Sequence, residues 1–323
     1  MVIALASPPR LVEILMLARF NKNSIACVLA FLLLLCSGRL VADELKQAST
    51  MSATRCAGNA ASSDMIWKGF SGGFCVEWTT KDVAAAESST AGASAFSLAH
   101  ELRQSFEREN TPHEAKNATA PNPCLQENRV AVLSVAGSII SLRETSMLSC
   151  KLQAHPGGET RLYSIDLAKS AAPKTSTAKA EALKLTDYFS AATVFRSLRQ
   201  DALVQKALET TGASPKTLDD LIAALSSSPA VLDDKHCYIF PEDLLSRFAF
   251  HHLQKDKVGV RLGLPGAGPC RDNLTSIGIL LPAPRSLQKA LSAASSRSQG
   301  FLMKDTDAVA QGRQTTISFH SGP

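Results

Sequence analysis

Among the residues whose types suit chemistry, a serine comes first. Gly69-Phe70-Ser71-Gly72-Gly73 fits the GxSxG spacing of a nucleophile elbow. That elbow needs a strand, a sharp turn and then a helix whose N-terminus steadies an oxyanion. Here the residues that follow, Phe74 to Thr80, are β-prone, and His155-Pro156-Gly157-Gly158, which echoes an oxyanion loop, comes after the serine instead of before it. A glycine turn feeding a strand is therefore expected, with a serine hydrolase acting through Ser71 as the alternative. Ser176-Thr177-Ala178-Lys179 and Ser286-Leu287-Gln288-Lys289 match SxxK without the accompanying signatures of a penicillin-binding enzyme. Paired carboxylates such as Asp219-Asp220 and Asp233-Asp234 read as helix-start or turn residues.

Histidines are the second group. His236, His251 and His252 lie in a β-prone region, and His155 sits in a turn. Neighbouring strand residues point to opposite faces, so His251 and His252 are not expected to grip one metal ion together. His155, His251 and His252 are the candidate binding residues, and no metal or cofactor is expected. The chain has no HExxH, P-loop or GxGxxG, and no catalytic role is assigned beyond the Ser71 alternative.

Compartment decides how the cysteines read. Ser24 to Gly38 is an uncharged apolar run behind Arg19 and Lys22, the layout of a secretory signal. A signal over residues 1–42, cleaved after Ala42, is expected, with translation from Met16 giving a more compact version; an uncleaved anchor is the alternative. Removing 1–42 takes away four basic residues and one acidic residue, which lowers the formal charge from +5 to +2. So little charge makes no case for nucleic acid, and no membrane span is expected after cleavage. Cys56, Cys75, Cys124, Cys150, Cys237 and Cys270 remain. An even count in an oxidising compartment reads as a disulfide framework. Local pairing is expected, Cys56–Cys75, Cys124–Cys150 and Cys237–Cys270, with fewer bridges and buried thiols as the alternative.

Several elements must carry these residues. Phe74–Thr79 reads as a strand after the glycine turn. Ser94–Asn110 reads as an amphipathic helix through Ala95, Leu98, Ala99, Leu102 and Phe106, with Arg103 and Glu107 paired outside. Arg129–Leu142, bent at Gly137, then Met147–Gln153 and Arg161–Leu167 suggest an antiparallel meander. Ser190–Leu208 is expected to be helical with a break near Asp201, followed by a helix capped by Ser214. Cys237–Phe240, Leu244–Leu253 and Val258–Leu264 return to β, and Pro284–Ala294 reads as a short helix. Strands and helices in blocks imply an α+β fold of antiparallel sheet segments packed with a few helices. The expected divisions are a signal at 1–42, an N-terminal α+β part at 43–123, an α+β domain at 124–294 and a disordered tail at 295–323.

The segment Val130–Ala290 resembles a family of extracytoplasmic domains of unknown function. Its members follow the membrane segment of a lysozyme-sensing anti-sigma factor, or precede a polysaccharide deacetylase domain on peptidoglycan-modifying enzymes. The matching pieces occur in the family's order: Leu133-Ser134-Val135-Ala136-Gly137-Ser138 with Ile140-Ser141, Ala154-His155-Pro156-Gly157-Gly158, and Tyr163-Ser164-Ile165-Asp166-Leu167. Leu185-Thr186-Asp187-Tyr188-Phe189, Phe240-Pro241-Glu242-Asp243-Leu244 and Phe248-Ala249-Phe250 follow, before the strand Val258–Leu264. Two departures stand out. His251-His252-Leu253-Gln254-Lys255 replaces Pro/Tyr-rich sequence, and the turn after Leu167 is expanded into a low-complexity loop at Lys169–Glu181. Neither partner module is expected in this chain. The resemblance implies fold and compartment; it carries over no catalytic residue and no lysozyme-binding role. Together these readings point to a non-catalytic envelope protein, periplasmic or secreted, that binds peptidoglycan or an envelope or extracellular protein; a structural protein without a small ligand is a further alternative.

Overall fold

Two adjacent glycines set the first turn. Gly72 and Gly73 have φ of +58° and +93°, and they join β1 (Met65–Ser71) to β2 (Phe74–Thr79) as a two-residue hairpin with Ser71 opposite Phe74. In β2, Phe74, Val76 and Trp78 alternate inward while Cys75, Glu77 and Thr79 face outward. β3 (Val83–Glu87) and β4 (Phe96–Ser97) extend this N-terminal sheet in the order β1-β2-β3-β4. A computed structural model is the basis of this description, which covers residue 56 and residues 63–88, 96–110, 124–151, 157–170, 182–232, 237–266 and 274–321. The signal region, Ser176, Lys179, His155, His236 and Cys270 lie outside the described residues.

α1 (Leu98–Asn110) starts directly from β4 and buries Leu98, Leu102 and Phe106, the face its periodicity predicts. Arg103 lies 5.4 Å over the Phe319 ring. The central sheet follows, in the order β13-β5-β6-β7, with β5 (Cys124–Ala136), β6 (Ile139–Cys150) and β7 (Gly157–Asp166) as the expected meander. Gly137 is not a bend within one strand. Its φ of +64° makes it the first residue of a two-residue turn between β5 and β6. A β-carbon on Gly72 would overlap the backbone of Gly137 and Ser138, so the tips of the two hairpins touch. Cys124 and Cys150 are directly opposed at the far end of β5–β6 and are joined by a disulfide; Cys56 is joined to Cys75. Both are expected pairs, and Cys237 is also disulfide-bonded.

After the short turn α2 (Leu167–Ser170) come α3 (Ala191–Leu198), α4 (Ala202–Thr211) and α5 (Leu218–Ser226). Ser190 caps α3 and Asp201 caps α4, which accounts for the break near Asp201. The cap of α5 is Thr217, not Ser214. Thr217 accepts from Asp220 N–H while Asp220 accepts from Thr217 N–H, so two otherwise orphaned donors are satisfied reciprocally. β8 (Val231–Leu232) pairs with β9 (Cys237–Tyr238). β10 (Phe248–Gln254), β11 (Lys257–Pro265) and β12 (Leu274–Pro282) form the C-terminal sheet, and α6 (Arg285–Ser295) packs nearby.

The segment 295–323, expected as a disordered tail, folds. It holds α7 (Thr306–Ala310) and β13 (Thr315–Ser321), and β13 adds to the edge of the central sheet beside β5. Thr315, Ile317 and Phe319 alternate inward with exposed Thr316, Ser318 and His320, a period-2 pattern too sparse in apolar residues to stand out. Phe301 is fully buried and stacks on Trp78.

Two cores result. The first lies among the N-terminal sheet, α1 and one face of the central sheet, and includes Val76, Trp78, Phe106, Val132, Leu142, Ile165, Phe301 and Phe319. The second lies between the C-terminal sheet and the helices, with Leu198, Leu221, Phe248, Val260, Leu262 and Leu291. Between the central and C-terminal sheets, Leu133, Leu162 and Ala249 form a thin contact, and the Ser164 hydroxyl bonds the Phe248 carbonyl at 2.8 Å. The division expected at 123/124 is therefore not a boundary: residues from both sides share the first core, and Ser49–Pro323 forms one unit. The fold is α+β with antiparallel sheets. Among the described residues no helix is long and apolar enough to cross a membrane.

Candidate binding site

One face of the central sheet changes character along its strands. On β7, Glu159, Arg161, Tyr163 and Ile165 share this face; on β6, Leu142, Glu144 and Ser146 do, with Glu144 opposite Arg161 and Ser146 opposite Glu159. The apolar end belongs to the first core. The polar end runs under α1 and, with Phe96, Leu98, Glu101, Leu102 and Ser105 above and Gln126 at the side, encloses a cavity of about 250 Å³.

Glu144 is the pivotal group. Its side chain is almost completely buried, and Arg161 Nη2 donates to Oε2 at 3.1 Å. A buried carboxylate needs such a partner, because desolvating an unpaired charge costs several kcal/mol. The Arg161 guanidinium also lies 5.0 Å from the Tyr163 ring. Burial first, and then the Glu144 carboxylate, push the Tyr163 phenol well above its ordinary pKa. Burial opposes the charge on Arg161, but Glu144, Tyr163 and Glu159 together outweigh it and hold the guanidinium pKa raised. The chemistry is that of a fixed neutral phenol, a fixed carboxylate and a fixed cation. Gln126 Nε2 donates to Asn128 Oδ1 at 3.2 Å and Ser146 Oγ at 3.3 Å. Asn128 is fully buried, and its Nδ2 has no acceptor among the described residues. On the rim, Arg247 Nη1 binds Glu159 at 2.8 Å while its Nε binds Asp243 at 2.7 Å.

None of these residues falls in a recognisable catalytic or ligand-binding motif. Their one signal is Leu142-x-Glu144-x-Ser146 and Arg161-x-Tyr163-x-Ile165, charged residues at positions whose strand neighbours face a core.

The residues singled out by type lie elsewhere. Ser71 ends β1, is 1 % exposed, and its Oγ has no partner among the described residues. A strand follows its turn, so the hairpin lacks the helix that an elbow requires. Ser286 and Lys289 are exposed on α6. His251 and His252 do not face apart. The β10–β11 register shifts between Phe250 and His252, a bulge that breaks the alternation and brings the two Nδ1 atoms to 3.0 Å. They line a separate open groove with Gly259, Arg261, Gly278 and Leu280. Burial, then the charges of Arg261, His252 and Lys304, lower the His251 pKa. Among the described residues, no group of three His, Cys, Asp or Glu side chains is placed to hold a metal ion. Compared with known proteins, the chain matches no family model and shows no significant match to a curated protein.

Proposed function

We propose that this chain is an exported, non-catalytic binding module of the cell envelope, periplasmic or secreted, whose cavity under α1 takes a hydroxyl-rich segment of cell-wall glycan. The observation that carries the reading is Glu144, a buried carboxylate locked by Arg161 in the wall of a cavity that also has apolar sides. Small-ligand sites combine apolar walls with a few fixed polar groups. Sugar hydroxyls both donate and accept, and here Glu144 and the Gln126 carbonyl offer acceptors while Arg161 and Ser146 offer donors. The apolar sides of Phe96, Leu98 and Ile165 suit the C–H faces of a sugar ring. Support for the compartment comes from the signal-like residues 1–42 and from disulfides, which persist in oxidising surroundings. The resemblance of Val130–Ala290 to domains that travel with cell-wall enzymes supports the ligand class.

The test is retention on insoluble peptidoglycan, followed by titration with soluble peptidoglycan fragments. Gln126→Ala and Glu144→Gln are expected to weaken binding by about tenfold, the worth of a hydrogen bond to a charged or fixed group. Gln126→Ala removes a half-buried side chain and leaves the Glu144–Arg161 pair intact, so its loss of affinity separates ligand contact from misfolding. No retention by the unmodified protein would remove the glycan reading.

A further inference from the structure

The groove over β11 and β12 is built with unusual economy. His252 is paired across the sheet with Gly259, and Arg261 with Gly278. A β-carbon on Gly259 would overlap the His252 ring, and one on Gly278 would stand 2.6 Å from Arg261 Nη1. Neither glycine has a positive φ, so backbone conformation does not call for glycine at either position. What both supply is room: each lets a cationic or imidazole side chain lie flat across the neighbouring strand.

Charge in the groove is one-sided. His251, His252 and Arg261 line it, and none of its lining residues is acidic. Arg261 forms no ion pair with any described residue, although Arg161 and Arg247 are both paired. Lys304 adds a charge that His251 senses. The two histidines share one hydrogen bond between their Nδ1 atoms. When both are neutral, the ring that accepts it carries its own proton on Nε2, which is left to donate. A guanidinium fork and an imidazole N–H beside it match the acceptor geometry of a carboxylate or a phosphate.

We infer that this groove, of about 270 Å³, is an oxyanion-binding site in which Arg261 and the His251–His252 pair hold a carboxylate or phosphate group. The site is separate from the cavity under α1 and does not depend on the glycan reading. A metal ion spanning the two Nδ1 atoms is the competing occupant, but Arg261 and Lys304 repel it and no third described His, Cys, Asp or Glu completes its ligand set.

The experiment follows the histidine ring resonances of the full protein by NMR during titration with sodium phosphate, sodium acetate and zinc chloride. Chloride salt holds the ionic strength constant. Saturable shifts of His251 and His252 with phosphate or acetate are expected, and the stronger of the two probes identifies the group. Arg261→Gln should weaken binding by at least about tenfold. Gly278→Ala keeps every charge and sits at an exposed position, yet it displaces the end of Arg261; it should also weaken binding several-fold, with peptidoglycan retention unchanged. Gly259→Ala is the stricter variant, since it moves His252 itself. Absence of saturable shifts with both anions overturns the site, as does saturation by zinc alone. So would anion binding that Gly278→Ala and Arg261→Gln leave intact, because that is diffuse charge and not a built groove.

Discussion

The two cores are assembled in opposite ways. The second draws mainly on one stretch of chain, residues 183–302, with Ala136 and Ile139 from the central sheet. The first joins residues 66–106 to residues 301–319 across the central sheet. A buried long-range tie is the Trp78 indole N–H, which donates to Thr315 Oγ1 at 3.1 Å over a separation of 237 residues, while Thr315 donates onward to Thr79 O at 2.6 Å. Local contacts let a core form from neighbours, whereas distant ones require loops to close first. The first core also has two disulfides at its margins, Cys56–Cys75 on β2 and Cys124–Cys150 on β5–β6.

Both tryptophans, Trp67 and Trp78, belong to the first core, so their fluorescence reports it, while far-ultraviolet dichroism reports chiefly the helices of the second. The largest expected effect is from Phe301→Ala, which empties a fully buried position beside both tryptophans and should cost about 3–5 kcal/mol in a denaturant titration. Because the central sheet borders both cores, the fluorescence and dichroism transitions should move together; a dichroism transition that stays in place would show two separately folding cores. Removing the Cys124–Cys150 bridge by a double Cys→Ala change should cost about 3 kcal/mol for a loop of this size, and an unchanged midpoint would break the picture of a first core held at its margin. The smallest effect is expected from Thr315→Val, which keeps the shape and leaves the buried indole N–H without an acceptor, at about 1–3 kcal/mol.

This contrast also explains what was legible in the sequence. α1 and β7 are where the sequence puts them, but α1 starts at Leu98 and not Ser94, and β7 at Gly157 and not Arg161. β2, α3, α4 and α6 carry their periodicity locally, and their expected and observed extents agree to within three residues. β13 does not, since Thr315, Ile317 and Phe319 are strand-forming only because β5 offers an edge. Ser214-Pro215 is as good a local start for α5 as Thr217; Asp220, by closing the capping box, decides for Thr217. The site residues fared worse. Glu144 and Arg161 become a pair only through the β6–β7 register, and the bulge that turns His251 toward His252 leaves no mark in the sequence. Local physics was readable; what two strands do to each other was not.

The reach from Trp78 to Thr315 has a consequence for synthesis. A chain made from its N-terminus has produced the strand bearing Trp78 long before the strand that seals it exists. Until then the indole lacks the hydroxyl that accepts its N–H. For an exported protein of the kind proposed above, the first core closes only once nearly all of the chain is on the far side, whereas the second can form as soon as its own stretch has emerged.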